Sequence, residues 1–298
     1  MAHTAAMPPA PTGRLEMQAQ HRRRRALLAY LAPVTLAYLV FLVVPYALLL
    51  RMSLNRFNAT AMYDSALTLE NYVAVLTGPF YLSLMARTVA LGLAVTVITL
   101  ALGFPLALTI ARATGRLKTL LMAITLSPLL INLVVRTYAW LVLLGDKGLI
   151  NSWLLDAGLI ASPLPLGGSL FAVVVGLSHI TLPLMVLSLL AVIESIDSRL
   201  AEAAESLGAT QARIFRRITL PLSLPGIGTG SLLVFCFAIS AFVTPALLGG
   251  NRVSTISTVI YDMFSFSLNW PVGATLVFVL LVLNFAVLGV HARLFRER

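Results

Sequence analysis

Residues 196–227 read IDSRLAEAAESLGATQARIFRRITLPLSLPGI, a charged stretch set between two long uncharged ones. Ser198 suits a helix N-cap. Leu200, Ala203, Ala204 and Leu207 then fall on one face of the helix, and Gly208 suits the left-handed position that ends it. Thr210 caps a second segment, 212–218, before Pro221 turns the chain into the next apolar run. The spacing predicts a helical hairpin or bent helix projecting from a membrane face. The flanking runs, 170–193 and 222–248, are each long enough for the ~20 residues that a helix needs to cross a bilayer.

Working outward, runs of spanning length also occupy 26–50, 88–111, 119–144 and 272–290, which makes six spans, the third interrupted by Arg136. Six spans put both termini on one side. The N-terminal tail, the 112–118 loop, the 194–217 loop and the C-terminus together hold fifteen of the 21 Lys and Arg residues. The opposite side holds only Arg51, Arg56, Lys147 and Arg252, with Arg87 and Arg136 near or within spans. The positive-inside rule therefore places both termini in the cytoplasm. The expected organisation is a disordered N-terminal tail over 1–25, a six-helix transmembrane domain over 26–292 with a cytoplasmic loop over 194–221, and a C-terminal tail over 293–298. A cleaved secretory signal fits poorly, because its apolar region is about 7–15 residues long and the first run here has 25.

The totals agree with this reading. Hydrophobic residues make up 59% of the 298 and charged residues 11%, with mean hydropathy +0.94, against about 25% charged in a soluble domain. The formal net charge of +10 is explained by topology before nucleic acid is invoked. The single cysteine, Cys236, lies in an apolar run and excludes an intrachain disulfide or a CxxC centre.

Outside the spans, Thr68 is a candidate N-cap for a short surface helix with Leu69, Tyr72, Val73 and Leu76 on its apolar face, and Leu149, Ile150, Trp153 and Leu154 repeat the idea before Gly158. Both are expected to seal the outer rim. Pro33, Pro45, Pro105, Pro128, Pro183, Pro225 and Pro245 lie in or at the edges of spans, as in bent helices around a pathway or simply as commoner residues of membrane helices.

The central stretch resembles the permease subunits of binding-protein-dependent ABC importers, whose signature is EAA, three residues, Gly, nine residues, then I-x-L-P. Glu202, Ala203, Ala204, Gly208, Ile218, Leu220 and Pro221 fill every position at that spacing. The resemblance implies an all-α, type I importer fold whose coupling helix, with Leu207 on its apolar face, docks into a cleft of a separate ATPase subunit. It further implies two ATPase subunits carrying ATP and Mg, a second and non-identical permease subunit, an extracytoplasmic solute-binding protein, and a place in the bacterial inner membrane. The physical logic stands beside it: small alanines allow close approach, Glu202 can pair with a basic group, and Gly208 permits the turn. The strings VRTYAWLVLLGDKGLIN (135–151), AFVTPALLGG (241–250) and LNWPVGA (268–274) resemble the spermidine/putrescine branch. Permeases for opines, aminoethylphosphonate and ferric iron are similar.

A pathway for a polycation calls for aromatic faces and carboxylates. Tyr138, Trp140, Phe242, Tyr261 and Trp270 lie at or near the outer half, where an interfacial aromatic belt is the alternative explanation. The middles of the spans hold no Asp or Glu, and Asp262 is among the outer candidates. Arg136 either meets an anion, caps carbonyls at a helix break near Pro128, or pairs with a neighbouring subunit. His179, near Pro183, is a pathway or packing residue without a second ligand at metal spacing.

No GxxxxGK[ST] loop and no catalytic or metal constellation occurs, so an enzyme is a poor fit and no cofactor is expected in this chain. A DNA-binding helix-turn-helix in the 194–217 loop lacks room for its remaining helix. A secondary ion-coupled transporter is the rival class, but its usual intramembrane acid is missing; the specialised loop argues against a channel.

Overall fold

The computed structural model describes the backbone of residues 12–295 and falls into two units, 1–52 and 53–298. The described part of the first unit is helical throughout: α1, Thr12–Ser53, whose last residue opens the second unit, runs through Pro33 and Pro45 and holds an apolar span over Tyr30–Ser53. Helix over 12–25 corrects the disordered tail expected there. The run of Arg, Gln, Leu and Glu favours continuation of the helix into the apolar segment. Residues 1–11 and 296–298 lie outside the described residues, and with them the remaining expectations for the two tails.

The second unit opens with a small hairpin, β1 (Arg56–Asn58) and β2 (Met62–Asp64), antiparallel with Phe57 opposite Tyr63. This exception to an all-helical reading turns at Met62, whose φ is +65°, and Asn58 fastens it by accepting from the amides of Thr60 and Ala61. Next come α2 (Glu70–Thr77), α3 (Pro79–Arg112), α4 (Gly115–Leu130), α5 (Leu133–Leu144), α6 (Leu149–Asp156) and α7 (Leu170–Ile193). They are followed by α8 (Ser198–Ser206), α9 (Gln211–Ile214), a π-turn at Phe215–Thr219, α10 (Leu220–Leu222), α11 (Leu224–Ser240) and α12 (Val243–Leu248). After a 3-10 turn at Gly250–Arg252, α13 (Ile256–Ser265) and α14 (Trp270–Phe295) complete the chain.

Helices α3, α7 and α11 pack on one another and form the main core, where Val95, Ala107, Val173, Leu177, Met185, Leu189 and Val234 are fully buried. Small residues set the distances, as expected where lipid supplies no hydrophobic drive between helices. A Cβ at Gly226 of α11 would stand 2.9 Å from the carbonyl oxygen of Ser188 and 3.1 Å from Val192 Cβ. A second core gathers Val75, Leu84, Ile256, Val259, Val272 and Leu276 from α2, α3, α13 and α14. The described residues contain four helices long and apolar enough to cross a membrane, or six if each bent pair counts as one span.

Two expected spans are not single helices. The 119–144 run splits between α4 and α5, and the pair Gly115–Leu130 and Leu133–Asp156 bends by 99°. Pro128 lacks an N–H for the helix ladder, and the Asn132 side chain accepts from Val134 N at 2.9 Å, starting a new helix instead of continuing the old one. The 222–248 run breaks between α11 and α12, because the ring of Pro245 crowds the carbonyl four residues back, at Ala241.

The outer rim is clamped by buried asparagines. Asn151, fully buried on α6, donates to the carbonyls of Gly145 and Leu164 at 3.1 and 2.9 Å and accepts from Leu164 N at 2.9 Å. Asn71 of α2 donates to Ser53 and Asn55 carbonyls, both at 2.8 Å. The cap expected at Thr68 lies one residue off: Leu69 holds the N-cap position of α2, while Thr68 Oγ1 accepts from Glu70 N at 3.2 Å. Gly158 has φ +69°, as the end of the α6 segment requires.

Candidate functional site

Two regions concentrate the chemistry. The first is the arginine-rich-side loop from α8 to α11. Asp197, not Ser198, caps α8, its carboxylate accepting from Arg199 N at 2.9 Å; a carboxylate at the positive end of the helix outcompetes a hydroxyl one residue on. Gly208 closes the helix with φ +79°: its own N–H donates to Glu205 O at 2.8 Å and that of Ala209 to Ala204 O at 2.9 Å, a Schellman end. Thr210 holds the N-cap position of α9, though its side chain makes no capping bond. Gln211 donates to the Glu205 carboxylate and ties the two helices together.

The loop has an anchored root and a bare tip. Ile214 is buried, Phe215 meets Phe104 of α3 edge-on at 5.7 Å, and Ile218 and Leu220 are half-buried. Pro221 is exposed, and in the π-turn before it the Leu220 N–H donates to the Phe215 carbonyl five residues back. Lys118 of α4 pairs with Glu194 at the end of α7 at 2.7 Å. At the tip, Glu202 and Ala203 are exposed, Ala204 is half-buried, and Leu200 and Leu207 are 48% and 88% exposed. Two leucines on such a face are an incomplete surface that a partner can cover. From Gln211 the helical chain runs on through the π-turn to Leu222, so the second arm of the hairpin is rooted directly in the next span.

The second region lies on the opposite side, where α12 and α13 bound a cavity of about 400 Å³. Phe242 and Tyr261 stack with centroids 4.6 Å apart and planes at 35°, and Phe266 meets Tyr261 edge-on at 5.9 Å. Asp262, Ser254 and Thr258 add a carboxylate and two hydroxyls to the lining. The ion pairs among the described residues, Arg56–Glu70 and Lys118–Glu194, leave Asp262 without a basic partner. An aromatic-walled recess with one unpaired carboxylate suits a cation. Phe266, Ser254 and Thr258 escaped the sequence reading; Phe266 stands one helical turn from Asp262, and only the break between α11 and α12 brings Phe242 to the same place.

The remaining candidates lie elsewhere. Trp140 donates to His179 Nδ1 at 3.2 Å, with rings edge to face at 5.6 Å, joining α5 to α7. Arg136 is buried and donates through Nη1 to the carbonyls of Pro128 and Ile131, those freed by the α4–α5 break, while its Nη2 has no partner. Tyr138 is exposed on α5, and Trp270 packs on Phe264 at 6.4 Å. Among the described residues no group of three His, Cys, Asp or Glu could hold a metal.

The model of the binding-protein-dependent transport system inner membrane component family matches residues 100–297, from the middle of α3 to the end of α14, both regions included. The chain belongs to that family. The Haemophilus influenzae spermidine/putrescine transport system permease protein PotB is 34% identical over 261 residues, 87% of this chain and 91% of its own length. Its Escherichia coli namesake is 33% identical over 235 residues, 79% and 85% of the two chains. A bacterial alginate ABC transporter, solved with a periplasmic protein bound to an alginate pentasaccharide, has a chain that superposes with a TM-score of 0.75 at 20% identity. The match covers 94% of this chain and 96% of that one and shows the fold, that of a type I importer permease. The molecule is thus a multi-pass transport subunit and not an enzyme.

Proposed function

We propose that this permease forms one half of the translocation path of an ATP-driven importer for polyamines in a bacterial inner membrane. The observation that carries the substrate class is the recess of Phe242, Tyr261, Phe266 and Asp262, whose aromatic faces and unpaired carboxylate match an extended polycation. The names of the PotB relatives support the same class.

In this reading α8 is the coupling helix. Its exposed Leu200, Ala203 and Leu207 enter a groove on an ATPase subunit, and Glu202 meets a basic group there. Force applied to α8 reaches the core through its root, where Phe215 bears on Phe104. The working assembly pairs this chain with a second, non-identical permease subunit, two ATPase subunits supplied with ATP and Mg, and an extracytoplasmic binding protein that delivers the solute.

The test is ATP hydrolysis by the reconstituted complex with its binding protein, titrated with putrescine, spermidine, an opine, aminoethylphosphonate and ferric iron. Stimulation by a polyamine is expected, and Asp262→Asn should raise the concentration needed about tenfold or more, as loss of a charge-assisted contact predicts. Stimulation by an anionic solute alone would overturn the substrate class while leaving the family unchanged.

A further inference from the structure

On the other wall of the Val253–Ser254 turn lies a second cavity of about 560 Å³, with the opposite electrostatic character. Arg87 of α3 and Arg252 of the α12–α13 turn line it, and among the described residues no carboxylate lines it and neither arginine belongs to an ion pair. Below them the lining is apolar: Ala90 and Ala94 continue the Arg87 face of α3 at helical spacing, and Val174 lines the cavity from α7, one turn below Leu170 at the outer end of that helix. An arginine in or beside a span stays charged and draws a partner or the interface to itself.

The depth profile is that of a lipid. Arg87 lies eight residues into α3, one residue before the apolar run that begins at 88. Leu170 is the first residue of α7, so the charged end of the cavity is level with the outer mouth of the helices. Ala94 lies about 10 Å deeper than Arg87 along the same helix. A phosphate between two guanidinium groups with an acyl chain laid down past Leu170 along Ala90, Ala94 and Val174 satisfies both ends at once, whereas a free anion leaves the apolar end unused.

We infer that this cleft holds one anionic phospholipid of the outer leaflet, phosphate on Arg87 and Arg252 and acyl chain in the groove between α3 and α7. The bound headgroup would screen two positive charges that otherwise stand beside the polyamine recess and repel its cation. The inference concerns lipid retention and does not require the polyamine reading to hold.

The test uses the intact transporter complex purified in mild detergent, with bound lipid counted by native mass spectrometry after exchange into phosphatidylglycerol or phosphatidylcholine. The wild type should keep one more phosphatidylglycerol per permease than the Arg87→Gln/Arg252→Gln variant and show no such excess in phosphatidylcholine. Arg87→Lys/Arg252→Lys should retain it. Ala94→Trp, which fills the apolar end and leaves both charges, should lose it while its assembly, followed by gel filtration, is unchanged. Equal retention by the wild type and the glutamine pair would overturn the proposal. So would displacement of the lipid by inorganic phosphate with no effect of Ala94→Trp, which would assign the arginines to a free anion, or separation of the two permease subunits in the glutamine pair with no lipid in the wild type, which would assign them to a partner carboxylate.

Discussion

Arg136 stands within a stretch the sequence marks as a span, yet its guanidinium is spent on main chain: it donates to the carbonyls of Pro128 and Ile131. Both carbonyls lose their helix partners where α4 ends, and an unmet acceptor in a buried site costs about 1–3 kcal/mol. Arg136→Leu should therefore lower the thermal midpoint of the purified permease, with Arg136→Lys intermediate; an unchanged midpoint for leucine would refute the clasp. At the outer surface, Arg56 bonds to the Glu70 carboxylate and holds its pKa below the ordinary carboxylate range, chiefly through that hydrogen bond. A depressed folded-state pKa adds stability above the unfolded value that fades as pH falls through the folded one. Because both groups are fully exposed, the effect is small and salt-sensitive. The Glu70 carboxyl signal in NMR should titrate below that of a free glutamate and return to it in Arg56→Gln.

At the scale of elements, the α8–α9 hairpin is the part whose form the sequence states most completely. Small residues, a glycine at a fixed distance and a proline restart each act locally, so residue order over this short stretch dictates a short helix, a left-handed turn and a return. A valine at position 208 would have to adopt φ +79°, which β-branched side chains strongly disfavour. Gly208→Val and Glu202→Lys should each leave the protein inserted and folded while reducing ATPase co-purification and uptake several-fold. Normal co-purification in both variants would refute α8 as the coupling element. The breaks in the third and fifth spans were less legible. Hydropathy reports apolar length and not helical continuity, and a proline inside a span bends, breaks or passes unmarked according to what donates to the carbonyl it frees. Pro105 and Pro183 sit inside unbroken helices, whereas the runs holding Pro128 and Pro245 divide.

For the whole molecule, the importer reading makes a claim about energy. Uptake by membrane vesicles carrying the complex should stop when ATP is depleted and continue when an ionophore collapses the ion gradients, since the driving subunit is a separate ATPase. The opposite result would favour an ion-coupled carrier. The two cavities that share the Val253–Ser254 turn add a constraint at this scale, for an acidic recess and a basic one are held side by side by a single loop.

The sequence by itself determined the membrane class, the family signature and the short-helix, glycine-turn form of the hairpin after α7, because each depends on run lengths or local spacing. It brought forward Phe242, Tyr261 and Asp262 as separate candidates and missed Phe266. Only the tertiary structure decided that these four line one recess, that Trp140 and His179 form a different pair, and that Arg136 serves a helix break. The reason is physical: such groupings depend on where α11 stops and how α12 and α13 fold back over it, and a turn of that kind is set by packing between helices far apart in the chain, such as the bond from Ile256 N to Thr88 Oγ1 at 3.1 Å.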